Sequence, residues 1–356
     1  MNIRAYISII LLCLSLSGTV IGQGTGGPVL SSSPSKFRFE FDAGVAVPEF
    51  ARFKFGDVRD AFPVTGGQII EEVFNERPYS SSYYLGARGS YGLSRCVWWT
   101  PSEIYGRFGT YNANHRSSFS EHLPNGVEFE PVIYVPYIDG IIRPTLAGGA
   151  VVALFQDSDL QLRRKLVSYE IEAGIRNRYY YRCLSLLPGL FFTYYRMQQR
   201  DFLETFNSID PTKMKMLSHL NSNNYVLGGN FHFEIPLYKF IWLGTVSAGA
   251  EYSSASYKGE QRFAGNVFNT PAEELALVSN NKRKWGSAFG GETGLRLACL
   301  YGISISVLGN VHYTHVMPYV EYPVPIINTP AVTGPAKIQF QTQLTYGGEV
   351  NLSVMF

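Results

Sequence analysis

The final twenty residues, "KIQFQTQLTYGGEVNLSVMF", alternate without interruption. Ile338, Phe340, Thr342, Leu344, Tyr346, Gly348, Val350, Leu352, Val354 and Phe356 share one face, and Lys337, Gln339, Gln341, Gln343, Thr345, Gly347, Glu349, Asn351, Ser353 and Met355 lie on the other. A period of two is the signature of a strand with one apolar and one polar face. This strand runs to a terminal aromatic with no polar tail, so its edge needs a partner.

The same grammar recurs along the chain. It is clear at 37–47, 83–93, 167–177, 225–235 and 303–313, present at 183–195, 241–252 and 286–298, and weaker at 103–111, 127–138 and 144–155. With the terminal strand these make about twelve, each near the ~9–11 residues that cross a bilayer at a tilt. The connections alternate in length. Long ones (48–82, 112–126, 156–166, 196–224, 253–285, 314–337) are separated by short ones (94–102, 139–143, 178–182, 236–240, 299–302). Long loops on one side and tight turns on the other characterise barrels that span a membrane. The expected fold is therefore all-β: a closed, antiparallel, up-and-down transmembrane β-barrel of about twelve strands, within a range of about ten to fourteen. A short helix is expected near Ile69–Phe74, inside the first long loop.

Composition agrees with that fold. Charged residues make up 16% of the chain, below the ~25% usual in soluble domains, and aromatics reach 15%. Something other than water faces part of this surface. The net charge of +2 creates no field that would select nucleic acid. Tyr179, Tyr181, Tyr238, Trp242 and Tyr301 sit at the tight turns and Tyr194, Tyr252 and Tyr313 at the opposite strand ends. Rings with one apolar and one wet end belong at membrane interfaces.

The first 22 residues, with Arg4 and an apolar run from Ala5 to Leu16, read as a secretory signal peptide; 23–36 is a Gly/Ser/Pro leader and 37–356 the barrel. A lipoprotein anchor at Cys13 fits poorly, because Leu12 is not the small residue such processing needs. Beyond the signal, no apolar run is long enough for a membrane helix. Cys96, Cys183 and Cys299 are odd in number and widely spaced, which favours packed thiols over a metal site or a disulfide framework. No cofactor and no metal are expected.

The signal peptide, the strand–aromatic turn–strand hairpins at 168–195, 228–252 and 290–313, and the terminal "VNLSVMF" resemble the outer-membrane β-barrel families of Gram-negative bacteria, porin-like proteins among them. The resemblance implies an outer-membrane location, with both termini periplasmic and the long loops extracellular. It also implies that Val350, Leu352, Val354 and Phe356 form the signal read by the barrel-assembly machinery.

If the apolar faces meet lipid, the other faces line the lumen. They carry Arg38, Glu40, Asp42, Arg88, Arg107, Glu170, Glu172, Arg176, Asn230, His232, Glu234, Glu251, Glu292, Arg296, Asn310 and His312. A one-residue slip would turn several of these into the bilayer, at ~2–4 kcal/mol for each Arg or Lys at mid-depth. Acids and arginines are interleaved. They either set the selectivity of a water-filled pore for small polar solutes or pair across a narrow interior and fill it. A second functional class is binding or adhesion through the long loops. A hydrolase is the least favoured. Ser304, Ser306 and His312 share a lumen face, His232 and Glu234 lie on one strand, and His115, His122 and His219 in the loops have no motif around them.

Overall fold

A strand buries its backbone polar groups only by pairing on both edges, so a chain of two-faced strands with no covering helix closes on itself. In the computed structural model, which describes residues 37–61, 68–93, 102–122, 129–135, 140–142, 157–181, 184–207, 213–265, 270–298, 302–321 and 336–356, it does so. The signal and leader segments, residues 144–155 and Cys96, Cys183 and Cys299 lie outside the described residues.

In chain order the strands are β1 (Phe37–Pro48), β2 (Phe53–Ala61), β3 (Gln68–Glu76), β4 (Ser82–Gly92), β5 (Glu103–His122), β6 (Phe129–Val135), β7 (Gly140–Ile142), β8 (Asp157–Arg176), β9 (Tyr179–Tyr181), β10 (Leu184–Asn207), β11 (Lys213–Leu237), β12 (Phe240–Gly265), β13 (Thr270–Ala298), β14 (Ile303–Glu321) and β15 (Lys337–Met355). Ten of them, β1, β4, β5, β8 and β10 to β15, close into one antiparallel barrel, each pairing with the next and β15 with β1. The short β9 pairs with the start of β10.

The barrel thus has ten strands, not about twelve. The segment 129–135 is β6, which pairs with β2 and β7 in a separate four-stranded sheet ordered β3-β2-β6-β7. Its alternation is a genuine strand signal, but period two cannot say which sheet a strand joins. The expected helix at Ile69–Phe74 is likewise part of β3. Several expected loops are strands as well. β10 and β11 stay paired from Ser185↔Glu234 out to Phe206↔Lys213, and β12 and β13 from Phe240↔Leu297 to Gly265↔Thr270. These hairpins rise far beyond a bilayer-length crossing.

At the opposite end the turn between β11 and β12 is tight. Leu237 and Phe240 pair around the two-residue turn Tyr238–Lys239, where Tyr238 takes φ 51°, and Lys239 Nζ lies 5.7 Å from its ring. Phe37 and Phe356 also meet at this turn end. The Phe356 N–H donates to the Phe37 carbonyl at 3.0 Å, and the ring centroids are 6.3 Å apart. β1 and β15 pair in register from Arg38↔Met355 to Pro48↔Thr345, so the terminal strand has no free edge over that span.

The outward faces form an apolar belt. Phe41, Leu85, Ile171, Leu190, Leu227 and Val246 are each more than half exposed, which water would penalise and lipid would not. Aromatics bound the belt. Trp242 and Tyr252, ten positions apart on β12, mark its two edges on that strand, and Tyr194, Tyr225, Tyr252 and Trp285 follow one another on adjacent strands with centroids 5.3, 6.3 and 4.9 Å apart.

Candidate functional site

The inward faces converge on one arginine. Arg88 on β4 donates through Nε to Asp42 at 2.8 Å and through both terminal nitrogens to Glu292, each at 3.0 Å, and it also bonds Glu349. Glu292 lies on β13, four strands round the barrel, so this fork spans the lumen. Bidentate Arg–carboxylate pairs are strong and directional. Asn351 ties the same group to its neighbour by donating to both Asp42 and Glu40. Arg107 extends it, bonding the Tyr84 hydroxyl at 2.9 Å and lying 3.7 Å from Glu349.

Nearer the turn end a second group forms. Arg296 reaches Glu234 at 2.8 Å and Glu40 at 3.9 Å, Arg38 pairs with Glu40, and His232 Nε2 is 3.6 Å from Glu234 while its Nδ1 contacts Thr245 at 2.9 Å. On the β5–β8–β10–β11 wall, Arg176 stacks 3.9 Å over the Tyr105 ring, whose hydroxyl accepts from Asn230, and Glu172 accepts from Thr193 at 3.2 Å. Glu251 is fully buried and accepts from Tyr195 and Thr314. Glu170, Asn310 and His312 line the cavity that remains, whose volume is about 250 Å³.

All fourteen charged or histidine positions picked out by alternation therefore point inward, distributed over these groups and the cavity wall. Several partners were not picked out. Glu349 lies on the polar face of the terminal strand, so its parity was available. Tyr84 and Tyr105 share the parity of Arg88 and Arg107, so their inward side was available as well; what spacing did not show is the room for their rings on the wall. A Cβ at Gly109 would stand 2.7 Å from the Tyr84 hydroxyl and one at Gly174 2.5 Å from the Tyr105 ring, so these glycines let the rings lie flat on the wall.

Above the cavity the chemistry changes. After β1 the chain turns into the barrel mouth and buries Phe50 and Ala51 completely, against Ala113 (β5), Leu166 (β8), Met197 (β10) and Met317 (β14). β14 lies four strands from β5 one way and four from β10 the other, so this cluster also spans the lumen. Arg164 holds it. Its buried guanidinium lies 5.3 Å from both the Phe50 and Phe53 rings, donates to Asp201 at 3.0 Å and caps the Ala51 carbonyl at 2.6 Å. Gln343 caps the Glu49 carbonyl from the other side at 2.6 Å. Met197 and Tyr111 belong both to this cluster and to the cavity lining, so the cluster roofs the cavity.

No pair among the described residues resembles a hydrolytic centre. Ser306 accepts from Arg296 at 3.4 Å and Ser304 is buried. A close Ser–His approach, Ser287 Oγ to His315 Nδ1 at 2.7 Å, uses the nitrogen that also faces the Ser287 carbonyl at 3.3 Å, and it lies among the girdle rings Phe289 and Tyr313. Among the described residues, no group of three His, Cys, Asp or Glu side chains is placed to hold a metal ion. His122 lies where no side chain is described. His219 is half-buried on the outer wall, where burial and the nearby Arg200 hold its imidazole below the usual pKa.

No family model and no curated protein sequence matches this chain. Among solved structures it is similar to the outer membrane protease OmpT of Escherichia coli, at 7% identity over 92% of this chain and 99% of that one, with a TM-score of 0.43. It is also similar to a Pseudomonas aeruginosa FadL homologue (9%, 90% of each chain, TM-score 0.25) and to the transport unit of the autotransporter AIDA-I of Escherichia coli (6%, 97% of each chain, TM-score 0.23). Likenesses this low say nothing about activity. The ten-stranded barrel rests on the chain's own strand pairing.

Proposed function

We propose that this chain is an outer-membrane β-barrel whose lumen is closed and whose working surface is the set of long hairpins standing outside the membrane. The turn end and both described termini are periplasmic in this reading and the hairpins extracellular. Outer-membrane lipids contact the apolar belt, and Val350, Leu352, Val354 and Phe356 present the terminal strand to the assembly machinery. Leu352 and Phe356, both outward and exposed, support that role. The chain is not read as an enzyme.

One observation carries the closed-lumen reading: two layers of different chemistry, the Arg88 fork and the Phe50 roof, each span the barrel. The test is conductance of the refolded protein in a planar bilayer. No steady single-channel current is expected, and an ohmic, steady conductance would overturn closure. The roofed cavity of about 250 Å³ favours a second reading, in which small polar solutes pass when the roof lifts. Discrete transient openings, lost when Phe50 is tethered to the wall, would select it. Identical migration of boiled and unboiled samples in gels would remove the barrel itself.

A further inference from the structure

The outer face of the long hairpin wall carries a charge pattern that a closed lumen does not use. Outward positions beyond the belt carry cations on β8, β10, β12 and β13, with a histidine on β11 between them. On β8, Lys165 lies four residues beyond Tyr169; on β10, Arg196 and Arg200 lie two and six beyond Tyr194. On β11 and β12, His219 and Lys258 lie six beyond Tyr225 and Tyr252, and on β13 Arg283 lies two beyond Trp285. Two to six residues of tilted strand correspond to roughly 5–16 Å along the membrane normal.

Strand pairing sets the cations Lys165 and Arg200 directly opposite one another, and places His219, whose imidazole is held below its usual pKa, between Arg200 and Lys258. Like charges on opposed residues destabilise a sheet. Among the described residues carboxylates do not relieve them: Glu204 and Glu260 lie farther out, at 3.6 Å from Lys215 and paired with Arg262. Among the described residues, Lys165, Arg196, Arg200, Lys258 and Arg283 have no ion-pair partner, and all five are exposed. Lys337 at the start of β15, by contrast, lies 3.8 Å from Glu321.

We propose that this face binds the phosphate groups of a phosphorylated glycolipid of the outer leaflet. The inference rests on the outer-membrane reading above. Two features select a lipid headgroup: the cations begin where the aromatic edge of the belt ends, and the surface between them, with Asn221, Asn223, Ser254 and Ser256, offers hydrogen bonds to a sugar and, among the described residues, no acid to repel a phosphate. Basic residues at a membrane surface attract anionic headgroups additively, so loss of three should be readily measured.

The probe is diphosphoryl lipid A, titrated into the refolded mature protein in zwitterionic detergent and counted by native mass spectrometry. The combined variant Lys165→Gln, Arg200→Gln, Lys258→Gln is expected to bind at least tenfold more weakly, and the charge-keeping variant Lys165→Arg, Arg200→Lys, Lys258→Arg to bind as the parent does. Heat-modifiable migration reports whether each variant is folded. A folded glutamine variant with unchanged binding overturns the proposal, as does displacement of the lipid by equimolar inorganic phosphate, which would mark a free-anion site. Failure of the parent protein to insert into vesicles overturns the membrane reading itself, so the two failures are distinguishable.

Discussion

Two layers cross the barrel, one of charges at mid-height and one of hydrocarbon at the mouth. The Arg88 layer is assembled from five different strands, β4, β1, β13, β15 and, through Arg107, β5. Its members are fixed wherever the backbone register is fixed, and Arg88 cannot leave without stranding three carboxylates. The mouth layer depends on a single five-residue stretch, Glu49 to Phe53, folded inward between β1 and β2 and held by Arg164. The first is held by the wall strands themselves, the second by one segment and its anchor. A buried ion network tolerates loss of a partner badly, whereas trimming an apolar side chain at a segment end leaves a gap into which its neighbours can relax.

Four experiments sharpen or break that contrast. Arg88→Ala leaves Asp42, Glu292 and Glu349 without their common cation and should cost about 3–5 kcal/mol in reversible urea unfolding in lipid vesicles; a cost under about 1 kcal/mol would mean that water, not Arg88, neutralises the layer. Phe50→Ala should cost about 3 kcal/mol in the same assay and raise ion flux through vesicles. Flux rising in Arg88→Ala but not in Phe50→Ala would reverse the roles of the two layers. Asp201→Asn weakens one charge-assisted bond to Arg164 and should cost about 1.5 kcal/mol, with loosened protease protection near Phe50 and an unchanged response to Arg88→Ala. Tyr238→Gly should stabilise slightly, by about 0.5–1 kcal/mol, since φ 51° suits glycine, and should leave both layers untouched.

Much of the lumen was legible before any coordinates, and the reason is mechanical. Parity along a strand fixes which side a residue faces, so Arg88, Glu292, Arg296 and Glu234 could be assigned inward from spacing alone. What parity cannot supply is who meets whom. Arg88 and Glu292 are 204 positions apart in sequence and join only because four strands curve between them. The mouth cluster was illegible for a different reason. Phe50 stands in a short irregular stretch with no period and Phe53 at the very start of β2, and both, like Arg164, lay in what alternation read as loops. Strand number failed at 127–138, where a correct strand signal belonged to a second sheet.

The sequence by itself determined a two-faced antiparallel β-chain, the inward set of charges, the apolar outward belt and a last strand that needed a partner, because all of these follow from local period and side-chain chemistry. Only the tertiary structure decided that ten strands close the barrel, that the charges link across the lumen, and that the chain after β1 folds back to roof it. Those depend on curvature and on the meeting of residues far apart in the chain, which no local pattern encodes.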